Sequence, residues 1–204
     1  MRYWKALGLA RAFVLSWFLV AFTLSVIGWF ERFSSATLFG IGSVVSVSGF
    51  TILHRLSTRF RDYTQARGLK ILTRTQVLRL YGTLAIVKTY QQFLPALFGI
   101  PTAIMDILIA TTSFYAATRL VSPRGYPQPG FFAWHVAGLI TLGISAVLAI
   151  LTSSTSFGLV KDEITSQPLT WFPMSLVPTF IGPFVLVCHL LALVTAHHLK
   201  NHQE

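Results

Sequence analysis

The chain has 204 residues, of which 53% are hydrophobic and only 11% charged, and it carries a formal net charge of +10. Soluble domains carry about 25% charged residues, and a chain this apolar lacks the polar side chains to cover a water-facing surface. Composition therefore excludes an ordinary soluble globule, and a single cysteine, Cys188, excludes an internal disulfide.

A helix needs about 20 mostly apolar residues to cross a hydrocarbon core of ~30 Å. The first candidate span, 12–30, follows a basic flank of Arg2, Lys5 and Arg11. It is longer than a signal-peptide core. It ends in Trp29-Phe30-Glu31-Arg32 rather than a small-residue cleavage site, so a retained span is expected. The second span, 36–53, is rich in Gly and Ser. Its Gly42, Ser46 and Gly49 share one helical face, a pattern that lets helices approach closely. A polar, basic connection over 54–76 leads to a third span, 77–94, which carries Lys88. The run from Pro95 to Pro101 reads as a hydrophobic turn between prolines. The fourth span, 101–120, carries Asp106.

The segment SPRGYPQPG over 122–130 cannot stay helical. A fifth span follows at 131–151, then a polar connection, then a sixth span at 174–196 interrupted by Pro178, Gly182 and Pro183. A proline inside a helix frees a carbonyl and bends the axis. Open sheet edges cannot face lipid, which disfavours strands. The expected fold is all-α: an integral membrane helical bundle of six transmembrane helices, forming one domain over 1–204.

Orientation follows from the distribution of Lys and Arg. With the N-terminus inside, thirteen cations fall on inner segments: Arg2, Lys5, Arg11, Arg55, Arg59, Arg61, Arg67, Lys70, Arg74, Arg79, Arg119, Arg124 and Lys200. The outer segments hold Arg32 and Lys161. Both termini are therefore expected in the cytoplasm, with the chain in a bacterial cytoplasmic membrane. Trp4, Trp29, Trp134 and Trp171 fall near span ends, where amphipathic rings prefer to sit, and Trp17 does not.

Charges at bilayer depth cost about 2.5–3.5 kcal/mol each even on lenient scales, so they face a partner or a wet cavity. Lys88 and Asp106 lie on antiparallel neighbours at roughly 10 Å and 8 Å from the outer boundary, so they are expected to pair or to share a cavity. Tyr90, Gln91 and Gln92 surround Lys88 in sequence. His135 and His189 should reach a common depth near the inner side, with Cys188 beside them. These seven residues, Lys88, Asp106, Tyr90, Gln91, Gln92, His135 and His189, are the candidates for a ligand or ion pathway. No tight ligand spacing points to a metal, no cofactor motif is present, and no nucleophile set supports a catalytic role. The basic stretch from Arg55 to Arg79 is expected to meet anionic headgroups. It offers no aromatic platform for nucleic acid. A homo-oligomer or a membrane-protein partner is compatible with the short loops.

Three runs carry a resemblance: LPALFGIPTAIMDILIA from Leu94, GFFAWHVAGLITLGISAVLAILTS from Gly130, and PMSLVPTFIGPFVLVCHLLAL from Pro173. Together they resemble a group of bacterial multi-pass membrane proteins of unknown function. In that group a proline-led turn precedes a helix with an aspartate, and Asp106, Trp134, Pro178 and His189 match the shared positions. The sequence departs from the group at His135, where the group has Asn, and at Thr141, where it has an acid. The resemblance implies a multi-pass helical fold and assigns no activity. Two functions remain open: transport of a small solute, ion or proton, and a non-catalytic scaffold or assembly role.

Overall fold

The computed structural model describes residues 2–56, 58, 68–159 and 164–201, with side chains from residue 12 onward except at Leu53. Arg59, Arg61, Arg67, Lys161 and His202 lie outside the described residues. Among the described residues the architecture is helical. The helices are α1 (Arg2–Val26), α2 (Ser35–Leu56), α3 (Leu69–Arg74), α4 (Thr83–Tyr90), α5 (Ala96–Arg119), α6 (Phe131–Leu151) and α7 (Gly182–Asn201). A 3₁₀ segment, Thr75–Gly82, joins α3 to α4 without a break, and a wide π-type turn, Val177–Ile181, leads into α7.

Among the described residues, four helices are long and apolar enough to cross a membrane: Ser35–Leu56, Ala96–Arg119, Phe131–Leu151 and Val177–Asn201. Ala12–Val26 is a shorter apolar helix. The apolar side chains outside the core are arranged for lipid. Val136, Ile140, Ile144 and Val147 make an exposed stripe on α6, and Leu97, Ile100, Ile104 and Leu108 make one on α5. Both stripes follow helical spacing, as a bundle in hydrocarbon requires.

Several expected boundaries move: α1 ends at Val26 rather than at 30, the last span runs to Asn201, and two further changes bear on the site. The segment from Pro95 to Pro101 is not a separate turn. Pro95 caps α5, which starts at Ala96, and Pro101 lies inside its second turn. The helix expected as a third span begins at Leu69 instead of Val77, giving a continuous helical stretch over 69–90 with a rise of ~37 Å. Its middle is 3₁₀ for a readable reason. Thr73, Gln76, Arg79 and Ala85 are buried and Gly82 half-buried, all at a spacing of three. In an α-helix each step of three falls about 60° short of a full turn. In a 3₁₀-helix three residues complete the turn, so the tighter coil holds this stripe against the bundle.

The bundle core has two apolar ends. Leu69, Leu72, Val121, Phe131, Cys188, Ala192 and Ala196 pack together at the end marked by α3. Ala85, Leu94, Phe98, Ala103, Ala149, Leu169 and Met174 pack at the end marked by Tyr90. The polar residues of the 3₁₀ segment lie between them. Helix α1 joins this core through Trp17. Pro183 has no N–H to give, so the α-type bond to the carbonyl four residues before it, on Thr179, cannot form. The indole Nε1 of Trp17 donates to that carbonyl at 3.1 Å, and the Trp17 ring meets Phe180 edge-on. Ser25 and Ser175 share a buried hydroxyl hydrogen bond nearby. Trp17→Phe keeps the ring contact and removes this hydrogen bond. The expected cost is about 1 kcal/mol, read as a lower unfolding temperature in detergent. An unchanged temperature would show that the bond contributes nothing.

Candidate functional site

Asp106 lies near the middle of α5, ten residues or roughly 15 Å from its start. Its partner is Arg79, not Lys88. Arg79 Nε donates to Asp106 Oδ1 at 2.8 Å, and Nη2 approaches the same oxygen at 2.6 Å. The rest of the guanidinium is used on α6: Nη1 donates to the Gly138 carbonyl at 3.1 Å, and Nη2 donates to Thr141 Oγ1 at 2.9 Å. Thr141 in turn donates to the Gly138 carbonyl at 2.8 Å. Arg79 is only 2% exposed. A planar fork with fixed donors suits this task, because it serves a carboxylate, a carbonyl and a hydroxyl at once. Three helical stretches meet at one cation.

Glycine makes the approach possible. A Cβ at Gly82 would collide with the Asp106 carboxyl group, and one at Gly99 would collide with Thr89. The stretch 69–90 and α5 can therefore lie close enough for Asp106 to reach past Gly82 to Arg79.

Lys88 belongs elsewhere. From Thr83 the stretch returns to α-helix, and its buried face moves to Ala85 and Thr89, four residues apart. Lys88 falls to the side, half-buried. Its Nζ donates to Gln91 Oε1 at 3.2 Å and sits 5.0 Å from the Phe93 ring centre. Tyr90 is 87% exposed, and Gln91 and Gln92 are exposed at the end of α4. Of the seven sequence candidates, four (Lys88, Tyr90, Gln91 and Gln92) thus gather at a rim away from the polar centre.

The two histidines do meet. His135 Nδ1 and His189 Nδ1 lie 2.8 Å apart, both rings are fully buried, and His135 Nε2 is 3.2 Å from Thr73 Oγ1. Trp134 packs against both rings, and Cys188 is buried on the same helix as His189. The His189 ring covers Gly138, where a Cβ would strike it. Gly138 therefore touches the histidine pair with its Cα and the arginine with its carbonyl. Among the described residues no group of three His, Cys, Asp or Glu side chains could hold a metal ion.

Among the described residues, the seam also contains polar atoms with no partner. Gln76 donates through Nε2 to the Val185 carbonyl at 3.2 Å, but its Oε1 has no donor. His189 Nε2, Thr102 Oγ1 and Thr89 Oγ1 are also buried without partners. Thr102 stands out because hydroxyls on helices usually bond back to their own backbone. Thr73, Thr111, Thr112 and Thr118 do so. Thr102 instead lines a cavity of about 50 Å³ with Asp106, Arg79, Tyr81, Gly82 and Ser145. A water needs roughly 10–15 Å³ of such space, so a few waters fit. Unpaired buried groups in a native fold imply water, an ion or a functional use.

Arg79 is the residue that sequence reasoning missed. In the sequence it falls among the inner cations because it stands next to a basic connection. The signal that marks it is the polar spacing of three from Thr73 through Gln76 to Arg79.

A family model described as a domain of unknown function, DUF8737, matches residues 36–196. That range contains all of α2 to α6 except the first residue of α2, and α7 as far as Ala196. No curated protein and no solved structure matches the chain.

Proposed function

We propose that this chain, which belongs to the DUF8737 family, is a membrane carrier that moves protons, alone or with a small solute, by way of Asp106. In this reading it crosses the membrane six times: α1, α2, the stretch 69–90, α5, α6 and the segment 177–201. Both ends lie on the cytoplasmic side, facing the side that holds most Lys and Arg, and the basic connection before α3 lies against anionic headgroups. The observation that carries the reading is the cavity at mid-bundle with an ion-paired carboxyl group in its wall. A carboxylate at that depth is costly and is retained where it binds or passes something. Asp106 uses Oδ1 on Arg79, and among the described residues no hydrogen bond reaches Oδ2. That oxygen is the seat for a proton.

The apolar packing at both ends favours a carrier over an open pore. Among the described residues the clusters at the two ends are apolar, so passage requires the ends to part in turn. Pro178, Gly182 and Pro183 at the head of α7 supply a helix interruption of the kind seen at transporter sites.

The test uses purified protein in liposomes with a pH-sensitive dye trapped inside. An imposed pH difference should collapse faster than in empty liposomes, and Asp106→Asn should remove the excess while keeping an acceptor for Arg79. Excess flux that survives Asp106→Asn, or no excess at all, overturns the reading. A scaffold is the second reading, favoured by the way Arg79 ties three helical stretches together. It predicts unchanged stability on adding solutes and no flux.

A further inference from the structure

The cavity beside Asp106 has an unequal set of free hydrogen-bonding atoms. Ser145 spends its only proton on the Thr141 carbonyl at 3.0 Å, and Tyr81 spends its own on the Pro173 carbonyl at 2.6 Å. Toward the cavity both can only accept. Arg79 directs its three nitrogens at Asp106, Gly138 and Thr141. Among the described residues, Asp106 Oδ2 receives no hydrogen bond and Thr102 Oγ1 makes none. Thr102 is 5% exposed. It stands four residues before Asp106 on α5, so the two side chains share one face with Cβ atoms about 5–6 Å apart. A hydroxyl with a proton to give therefore sits one turn from a carboxylate oxygen with room for a donor, in the wall of the same cavity.

Charge and shape narrow the occupant. Arg79 already balances Asp106 through contacts of 2.6 and 2.8 Å, so the pair leaves no net charge to neutralise. A further cation would meet the guanidinium and an anion would meet the carboxylate, each leaving a buried charge unpaired. The other walls are apolar: Phe39, Ala85, Phe98, Leu142, Leu169 and Met174. A volume of about 50 Å³, at roughly 10–15 Å³ for each water-sized group, holds about four non-hydrogen atoms.

We propose that this cavity binds a small neutral solute of about four non-hydrogen atoms, with a hydroxyl or primary amide head and a short apolar body. The inference rests on the proton-carrier reading and names the solute class of that same site. The head donates to Asp106 Oδ2 and accepts from Thr102 Oγ1, and the body fills the apolar part. When Oδ2 carries a proton, the head accepts from Asp106 and donates to Thr102. A head that both gives and takes a hydrogen bond thus suits either state of the carboxyl group, whereas an ether or a ketone can only accept.

Ligand-observed NMR titrations of the purified protein test the site at neutral pH. Two pairs of probes are matched in size: acetamide against acetate, and n-propanol against n-propylammonium. Each is compared between the parent and Thr102→Val, and the difference removes uptake by the detergent micelle. The neutral probes should bind the parent more tightly than their charged counterparts. They should bind Thr102→Val roughly fivefold to tenfold more weakly, the scale of one lost hydrogen bond. Thr102→Val should melt at or above the parental temperature, because it replaces a buried unpaired hydroxyl by a methyl group of similar shape. Weaker binding there is then not loss of fold. Tighter binding of acetate or propylammonium overturns the proposal, as does neutral-probe binding that is absent or indifferent to Thr102→Val. If Asp106→Asn abolishes proton flux but no Thr102-dependent binding is found, the solute assignment falls and the carrier reading stands. If Asp106→Asn carries protons at the parental rate while Thr102-dependent binding is found, the carrier reading falls and the solute site stands.

Discussion

Replacing Arg79 by alanine should destabilise the protein by about 3–5 kcal/mol, the scale measured when one partner of a buried ion pair is removed. Three groups lose their donor together. Asp106 keeps a buried negative charge without its guanidinium, and the Gly138 carbonyl and the Thr141 hydroxyl each lose a donor. Arg79→Lys should recover only part of this, because an ammonium cannot serve all three positions as a fork does. Exchanging the pair, with Asp at 79 and Arg at 106, should fail as well. The gap opened by Gly82 is sized for a carboxyl group, and a guanidinium on α5 has no fixed route to Gly138. Lys88→Ala, by contrast, removes a half-buried contact to Gln91 and should cost little. Unfolding temperatures in detergent, followed by the loss of monodisperse protein, would check this. A drop of roughly 10 °C is expected for Arg79→Ala. If Lys88→Ala matched that drop, or Arg79→Ala melted with the parent, this account of the core would be wrong.

The parts of this architecture that were legible in sequence share a cause. Where a segment is uniformly apolar and bounded by breakers, its limits can be read directly. Helix α6 covers 131–151 as expected because SPRGYPQPG precedes it and a polar connection follows. The meeting of His135 and His189 was also legible, because antiparallel helices at ~1.5 Å per residue bring them to one depth. The stretch 69–90 was not, for two reasons. Cations at Lys70, Arg74 and Arg79 interrupt its hydropathy, and its buried face repeats at three, not at the α-helical spacing. A reader looking for 3.6-residue periodicity sees Arg79 as the end of a basic connection. Only contact with Asp106, Gly138 and Thr141 turns it into a core residue. The Trp17 bond shows the same limit. Pro183 announces a freed carbonyl, but no local pattern says that an indole 162 positions earlier will take it.

Gly138→Ala should destabilise the protein, whereas Gly143→Ala, five residues along the same helix, should not. The contrast isolates packing from helix propensity. Alanine favours an α-helix over glycine by about 1 kcal/mol at either position. At Gly143 nothing stands within reach of the added methyl group, so that gain should appear undiminished. At Gly138 the methyl group enters the space of the His189 imidazole. The ring cannot simply retreat, because its Nδ1 is tied to His135 and Trp134 packs beside it. The backbone cannot move freely either, because the Gly138 carbonyl is held by Arg79. Overpacking of this kind costs about 1–3 kcal/mol. His189→Ala made in the same chain should recover part of the loss, with a coupling of about 0.5–3 kcal/mol between the two sites. A strictly additive pair would mean that the ring does not occupy the space above Gly138.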